Sequence, residues 1–112
     1  MEKTIKLNGE DLKLKSSLFT IIEYRNVFGT ELFNDVKKME NKKGAAEDVS
    51  QVIDTLFKII YILHRPFTKK SYDQFLMSFD FSIFTDVNEL ENVSNTIADM
   101  LGGSKGSNQV PK

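Results

Sequence analysis

The feature that most constrains the fold is a corner in residues 20–36, TIIEYRNVFGTELFNDV, where two amphipathic helices meet at a glycine. Gly29 is predicted to end the first helix, because glycine readily adopts the left-handed conformation found just past a helix end. Thr30 is a favourable cap for the second helix, with Glu31 in its first turn. The rest of the chain is therefore expected to pack against two short helices joined by a sharp turn.

Both helices carry an apolar stripe at helical spacing. The first is predicted to start after Ser16 or Ser17, either of which can cap a helix. Its buried face is expected to comprise Leu18, Ile21, Ile22, Arg25 and Phe28, flanked by Phe19 and Tyr24. The stripe of the second helix comprises Leu32, Phe33, Val36 and Met39, and a polar loop at residues 41–44 follows it.

Before the corner, two short segments alternate polar with apolar residues around an Asn-Gly pair. Residues 4–7 and 12–15 are therefore predicted to form a β-hairpin, since Asn8-Gly9 supplies the positive φ values of a tight turn. The apolar residues Ile5, Leu7, Leu12 and Leu14 would share one face. An isolated hairpin is marginal in water, so this face must rest on the helices, and one strand edge is left available.

After the corner, residues 45–65 give the strongest helix prediction, because apolar residues surround nearly the whole second half. Pro66 ends this helix, a short helix at 72–79 begins after Ser71, and an apolar segment at 79–84 is expected to be buried. A last helix begins at Thr85 or Asp86 and ends at Gly102. The predicted fold is mainly α with a short N-terminal β-hairpin (α+β). About five helices pack around a central apolar helix, as one domain at 1–101 followed by a disordered Gly/Ser-rich tail at 102–112.

The composition argues against several kinds of partner. The chain has no cysteine, which fits a reducing compartment, and no apolar run after its first charges that indicates a signal peptide. A cytoplasmic protein is therefore expected. The formal net charge of −1 offers no broad attraction for nucleic acid or an anionic membrane. The charges are unevenly spread, since residues 80–101 hold five acids and no base.

Reactive residues do not form a recognisable catalytic or metal site. His64 is the only histidine, and with no cysteine to complete a ligand set it is better interpreted as a helix-end residue that interacts with the helix dipole. Acidic neighbours such as Glu89 and Glu91 are too close in sequence to share a helix face. We expect no catalytic, cofactor-binding or metal-binding residue and no cofactor, which indicates a binding protein and not an enzyme.

Two other interpretations remain open. A helix, a glycine turn and a second helix also match a DNA-binding helix-turn-helix, although Lys37 and Lys38 are offset by Glu31 and Asp35. A small helical DNA-binding regulator is therefore the alternative function, and an enzyme with an unrecognised site is a third.

The aromatic residues exceed what one buried face per helix needs. Some are therefore expected at the surface, available to a partner. The candidate partner-binding residues are Tyr24, Tyr61, Phe81 and Phe84.

The corner and the hairpin together resemble a known family. Residues 19–32, FTIIEYRNVFGTEL, with the preceding LNGEDLKLKSS, resemble the tail assembly chaperones of long-tailed (siphovirus-type) phages of Gram-positive bacteria. In that family a hairpin leads to a helix with a Tyr-Arg-x-x-Phe-Gly signature, which Tyr24, Arg25, Phe28 and Gly29 match. Residues 72–76, YDQFL, match its later Phe-Leu segment, and the resemblance covers roughly residues 3–101.

The resemblance implies a function in the cytoplasm of a bacterial host. The protein would bind the long, apolar, helical tape measure protein and keep it soluble while tube subunits polymerise around it. The tail tube protein is a further candidate partner, whereas nucleic acid and membrane are not expected partners. Self-association through the hairpin edge or the aromatic faces is also expected, with no set number of subunits.

Overall fold

The computed structural model describes residues 1–42 and 49–102, and the side chains of these residues except at positions 39–42, 49–52, 84 and 87. The predicted fold class is confirmed, since an antiparallel hairpin is followed by helices packed around a central one. The elements are β1 (Glu2–Leu7), β2 (Glu10–Lys15), α1 (Leu18–Phe28), α2 (Leu32–Lys42), α3 (Val49–His64), a 3₁₀ turn (Arg65–Phe67), α4 (Tyr72–Met77), a 3₁₀ turn (Phe81–Thr85) and α5 (Val87–Met100).

The hairpin forms as its sequence predicts. Asn8 and Gly9 have φ values of 57° and 80°, the left-handed geometry of a two-residue turn that matches the twist of the strands. The turn sets a register in which Ile5 lies opposite Leu12. The four apolar side chains of the inward face are buried: Ile5, Leu7, Leu12 and Leu14. Helix α5 packs against β1 and helix α3 against β2, so the helices stabilise a hairpin that could not persist alone.

Helix α3 is the centre of the domain. It contacts β2 and each of the other four helices described. Its second half is buried on all sides, in a run from Ile59 to Leu63. An all-round apolar surface is stable only where other elements cover it, which explains why this segment occupies the middle of the fold.

The corner between α1 and α2 turns at Gly29, as predicted. Gly29 has a φ of 77° and its N–H donates to the Arg25 carbonyl, which closes the end of α1. Helix α2 begins at Leu32, so Glu31 and not Thr30 immediately precedes it. The Thr30 hydroxyl instead donates to the Asp35 carboxylate at 2.7 Å.

Two predicted boundaries differ from the structure. Helix α2 runs to Lys42, so residues 41 and 42 continue the helix that was expected to end before them. The rest of that predicted loop, the start of the predicted 45–65 helix and the tail beyond residue 102 lie outside the described residues. Helix α4 ends at Met77 and not at residue 79, because Ser78 and Phe79 form tighter bonds to the carbonyls three residues before them.

The segment after α4 is only partly buried, contrary to the sequence-based expectation. Ile83 is buried, but the Phe81 side chain is 84% exposed. The Asp80 carboxylate accepts a bond from the Ser82 N–H and so begins a 3₁₀ turn. Neighbouring side chains on such a tight turn point in different directions, so they cannot all face the core. Across the described residues, no helix is long and apolar enough to cross a membrane.

Candidate functional site

Among the described side chains, helix α1 carries more exposed large apolar residues than any other helix. Leu18 is 85% exposed, Phe19 58% and Ile22 45%. These three residues are neighbours at spacings of one, three and four on the helix, and we call them the outer face of α1. Scattered single apolar residues are normal at a protein surface, whereas a group of three on one helix indicates a contact surface.

A groove runs along one side of this face, between α1 and the connection that leads into α4. This α1–α4 groove has a volume of about 810 Å³. Phe19 and Val27 form its apolar wall, and Lys69 and Lys70 lie on the opposite wall. The Arg65 guanidinium donates to the Glu23 carboxylate at 3.1 Å, which joins the two walls. The groove thus combines an apolar wall with a basic one.

Tyr61 holds the far wall of this groove in place. It is 3% exposed, and its hydroxyl donates to the Lys70 carbonyl at 2.6 Å. The bond anchors the connection after α3 to the body of the helix. The core side chain of Tyr61 therefore fixes the backbone that carries the basic wall.

A second groove lies on the other side of the outer face, among the starts of α1 and α2 and the end of α5. This α1–α5 groove has a volume of about 320 Å³. Leu18 and Phe33 line it together with Leu101, and Phe33 is 52% exposed. The outer face of α1 and Phe33 thus form one apolar surface with a groove on each flank.

The inner face of the same helix is part of a continuous aromatic cluster. The Phe28 ring packs edge-on against Tyr24 at 5.1 Å and Tyr72 at 5.0 Å between centroids. The cluster continues through Tyr61 to Phe75 at 5.5 Å. Edge-to-face contacts at these distances are favourable, so this face holds α1 to α3 and α4.

The buried hydroxyl of Tyr24 is satisfied across the corner. It donates to an Asp35 carboxylate oxygen at 2.7 Å, and the Thr30 hydroxyl donates to the same oxygen. Burial, followed by the hydrogen bond and charge of Asp35, raises the pKa of Tyr24 far above its usual value. Burial and the nearby Asp54 carboxylate likewise raise the pKa of Tyr72. Both phenols are neutral structural groups at ordinary pH.

The four candidate partner-binding residues do not come together. Tyr24 is fully buried and Tyr61 nearly so, so the expectation that they are surface residues is wrong. Their rings fill the core and their hydroxyls bond within it. Phe81 is exposed, on the 3₁₀ turn before α5, whereas the side chain of Phe84 lies outside the described ones.

Sequence reasoning assigned Leu18 and Ile22 to the buried stripe, and the structure corrects this. Arg25 and Asn26, three and four residues after Ile22, lie on its side of the helix and are exposed. The opposite side carries Thr20, Tyr24 and Phe28, which pack inward. These two polar positions are the sequence signal for the outer face. The stripe predicted from spacing included Arg25 itself, which is exposed as well.

The single histidine has a structural contact. His64 Nδ1 lies 2.8 Å from the Lys13 carbonyl. A carbonyl only accepts, so Nδ1 carries the proton and donates this bond. His64 thereby ties the end of α3 to the outer edge of β2. Within residues 1–42 and 49–102, no group of acidic or histidine side chains converges to hold a metal ion.

Comparison of the chain with protein-family models, with curated proteins and with solved structures found no match.

Proposed function

We propose that this protein is a tail assembly chaperone of a long-tailed phage. In this proposal it acts in the cytoplasm of the bacterial host without catalysis. It binds apolar helical segments of the tape measure protein and keeps that protein soluble while the tail tube polymerises. The binding surface is the outer face of α1 with Phe33 and the two grooves that flank it.

The observation that carries the proposal is the exposure of Leu18, Phe19 and Ile22 on a helix whose other face is already packed. Leaving these side chains in water forfeits the free energy of burying them, of order 1.5–3 kcal/mol for each large apolar side chain. A partner that covers the outer face recovers this free energy. A chaperone of apolar helices needs such a surface and needs no reactive group.

The shape of the surface suits a helical ligand. An amphipathic helix binds through apolar residues at spacings of three and four, and these enter grooves beside a ridge. Here the ridge is the outer face of α1, between the α1–α4 and α1–α5 grooves. Lys69 and Lys70 on the far wall would favour acidic residues along one flank of the bound helix.

Co-expression with the tape measure protein of the same phage tests this function. We expect the tape measure protein to be insoluble alone and to become soluble and copurify when this chain is present. If it neither copurifies nor gains solubility, the proposal is wrong. A salt-sensitive shift of DNA by this protein would instead favour the DNA-binding regulator.

A matched pair of variants locates the surface. Phe19→Ser removes an exposed apolar side chain from the outer face, and Met77→Ser removes one that is 82% exposed on α4 and lines neither groove. We expect copurification to fall with Phe19→Ser and to be unchanged with Met77→Ser. Equal losses would mean that nonspecific surface apolarity, and not this surface, holds the partner.

A further inference from the structure

The outer edge of β1 carries backbone groups that the hairpin does not use. Met1 and Ser16 exchange backbone hydrogen bonds at 2.8 and 3.0 Å, which continues the ladder beyond the two strands. Hydrogen-bonded pairs alternate along an antiparallel ladder, so Lys3, Ile5 and Leu7 bond to β2. The N–H and C=O groups of Glu2, Thr4 and Lys6 therefore point away from β2.

The two edges of the hairpin differ. On β2, the Lys13 carbonyl accepts a bond from His64, and the strand packs beside α3 and the 3₁₀ turn that follows it. On β1, no described residue bonds to the main-chain groups of Glu2, Thr4 or Lys6. A groove of about 450 Å³ runs along this open edge, with helix α5 on its other side. The protein thus presents one strand edge with space beside it.

We propose that β1 pairs antiparallel with β1 of a second copy about a two-fold axis at Thr4, which joins two hairpins into one continuous sheet. This inference does not rest on the chaperone function, because it concerns a different part of the molecule. An open strand edge is a template for another strand, and a two-fold axis makes the same edge serve both copies.

The charges on the edge select this register. With Thr4 opposite Thr4 of the second copy, Glu2 lies opposite Lys6 of that copy, and Lys6 lies opposite its Glu2. All three residues are exposed and point to the solvent side of the hairpin. Opposite charges directly across two strands are favourable. The outward backbone groups fall opposite one another in the same register, so hydrogen bonding and charge agree.

The groove beside the edge complements the strand that would enter it. Lys3 is exposed although it lies on the same face of β1 as Ile5 and Leu7. In the proposed register Lys3 of the second copy lies opposite Ile5 and faces α5, where Asp86 and Glu89 line the groove. No described base forms an ion pair with either of these carboxylates. The second copy would bring one.

The edge lacks two of the features that prevent pairing. Protected edges carry proline, bulges or charged side chains, including charges that point inward. This edge is a regular strand without proline or bulge, and its charged residues Glu2, Lys3 and Lys6 each lie near an opposite charge of the second copy in the proposed register. The contact is small, so we expect a dimer that dissociates in the micromolar range, as weak interfaces do.

A single cysteine tests the register directly, because the chain has none of its own. In a hydrogen-bonded antiparallel pair the Cα atoms lie about 5.5 Å apart, within the range that a disulfide spans. Thr4→Cys should therefore form a covalent dimer quickly under mild oxidation, in the full chain with any tag placed after residue 112. Lys6→Cys is the control, since its two copies would lie about 14 Å apart.

Charge substitutions test the pairing independently. Glu2→Lys should weaken the dimer roughly tenfold by sedimentation equilibrium, because it places like charges opposite each other twice. Adding Lys6→Glu to that variant should restore the dimer, although both changes disrupt the pairs with Lys15 and Asp11 inside the hairpin. Circular dichroism checks that each variant folds.

Three results would overturn the proposal. They are a wild-type protein that stays monomeric at high micromolar concentration, cross-linking of Thr4→Cys no faster than of Lys6→Cys, and failure of the double variant to regain the dimer. If the edge binds an unrelated extended peptide but never a second copy, the wild-type protein stays monomeric, which is the first of these results.

Discussion

The two faces of helix α1 both carry large apolar side chains and have opposite surroundings. The inner face carries Tyr24 and Phe28, whose rings pack against α3 and α4. The outer face carries Leu18, Phe19 and Ile22, which remain in contact with water. The difference shows that apolarity alone does not place a face in a core. What separates the faces is where the polar groups go, since the Tyr24 hydroxyl finds Asp35 and Thr20 finds Ser17.

The two faces therefore have different roles. The inner face supplies stability, because its removal leaves a cavity and takes away one of the two hydroxyl donors to Asp35. The outer face contributes little to folding and is available for a partner. Substitutions on the two faces should therefore have separable effects on unfolding and on binding, from large to small as follows.

Tyr24→Ala should give the largest effect. It removes a fully buried ring from the aromatic cluster and the donor to Asp35. We expect a loss of about 3–5 kcal/mol in the free energy of unfolding, as for other buried aromatic residues cut to alanine. Urea unfolding followed by circular dichroism measures it. A loss below about 1 kcal/mol would show that the inner face does not hold the fold.

Alkaline pH should lower the free energy of unfolding through Tyr24 on the inner face. The pKa of Tyr24 is raised in the folded state, so the unfolded chain loses the phenolic proton first as pH rises. Stability is fully present below the ordinary tyrosine pKa of about 10 and declines above it. Urea unfolding at increasing pH measures this decline. Tyr24→Phe should reduce the decline, and an unchanged pH profile in that variant would remove Tyr24 as its cause.

Gly29→Val should lower the free energy of unfolding by an intermediate amount, because Gly29 lies in the turn between α1 and α2. The φ of 77° suits glycine, and a Cβ added there meets nothing within 4 Å. The cost is therefore conformational, about 1–2 kcal/mol for a residue in the left-handed region. Thermal unfolding measures it. Gly29→Asn is the control and should cost less, because asparagine tolerates this conformation.

Leu18→Ser should have the smallest effect on folding. The side chain is 85% exposed, so we expect a change within about 0.5 kcal/mol in the free energy of unfolding. Binding to the tape measure protein should nevertheless fall. If Leu18→Ser unfolds much more easily than the wild type, or binds the tape measure protein as well, then the outer face is not a binding surface separate from the stabilising inner face.

The sequence was sufficient for the parts of the fold that depend on local rules. Asn8-Gly9 predicts the hairpin, Gly29 the corner, and the all-round apolar surface of α3 its central position. The spacing of the apolar residues did not show which side of α1 faces the core, because large apolar residues occur on both faces; only the polar residues Arg25 and Asn26 mark the outer one. Long-range contacts decided it, among them the bond from Tyr24 to Asp35.

The candidate surface was harder to predict than the fold. Tyr24 and Tyr61 looked like partner-binding residues because aromatic side chains are common in interfaces. Each hydroxyl instead finds a partner within the fold, at Asp35 and at the Lys70 carbonyl. The grooves depend on elements far apart in sequence, such as Phe33 and Leu101. No local pattern reports that kind of proximity.

The most direct test of the outer face as the binding surface is to map where a partner binds on the chain. Backbone amide shifts would be recorded by NMR as a soluble helical segment of the tape measure protein is added. We predict that the shifts concentrate in residues 18–33 and 65–74, around the outer face of α1 and the α1–α4 groove. Shifts confined to the hairpin and α5, with residues 18–33 unaffected, would contradict the assignment of the outer face as the binding surface.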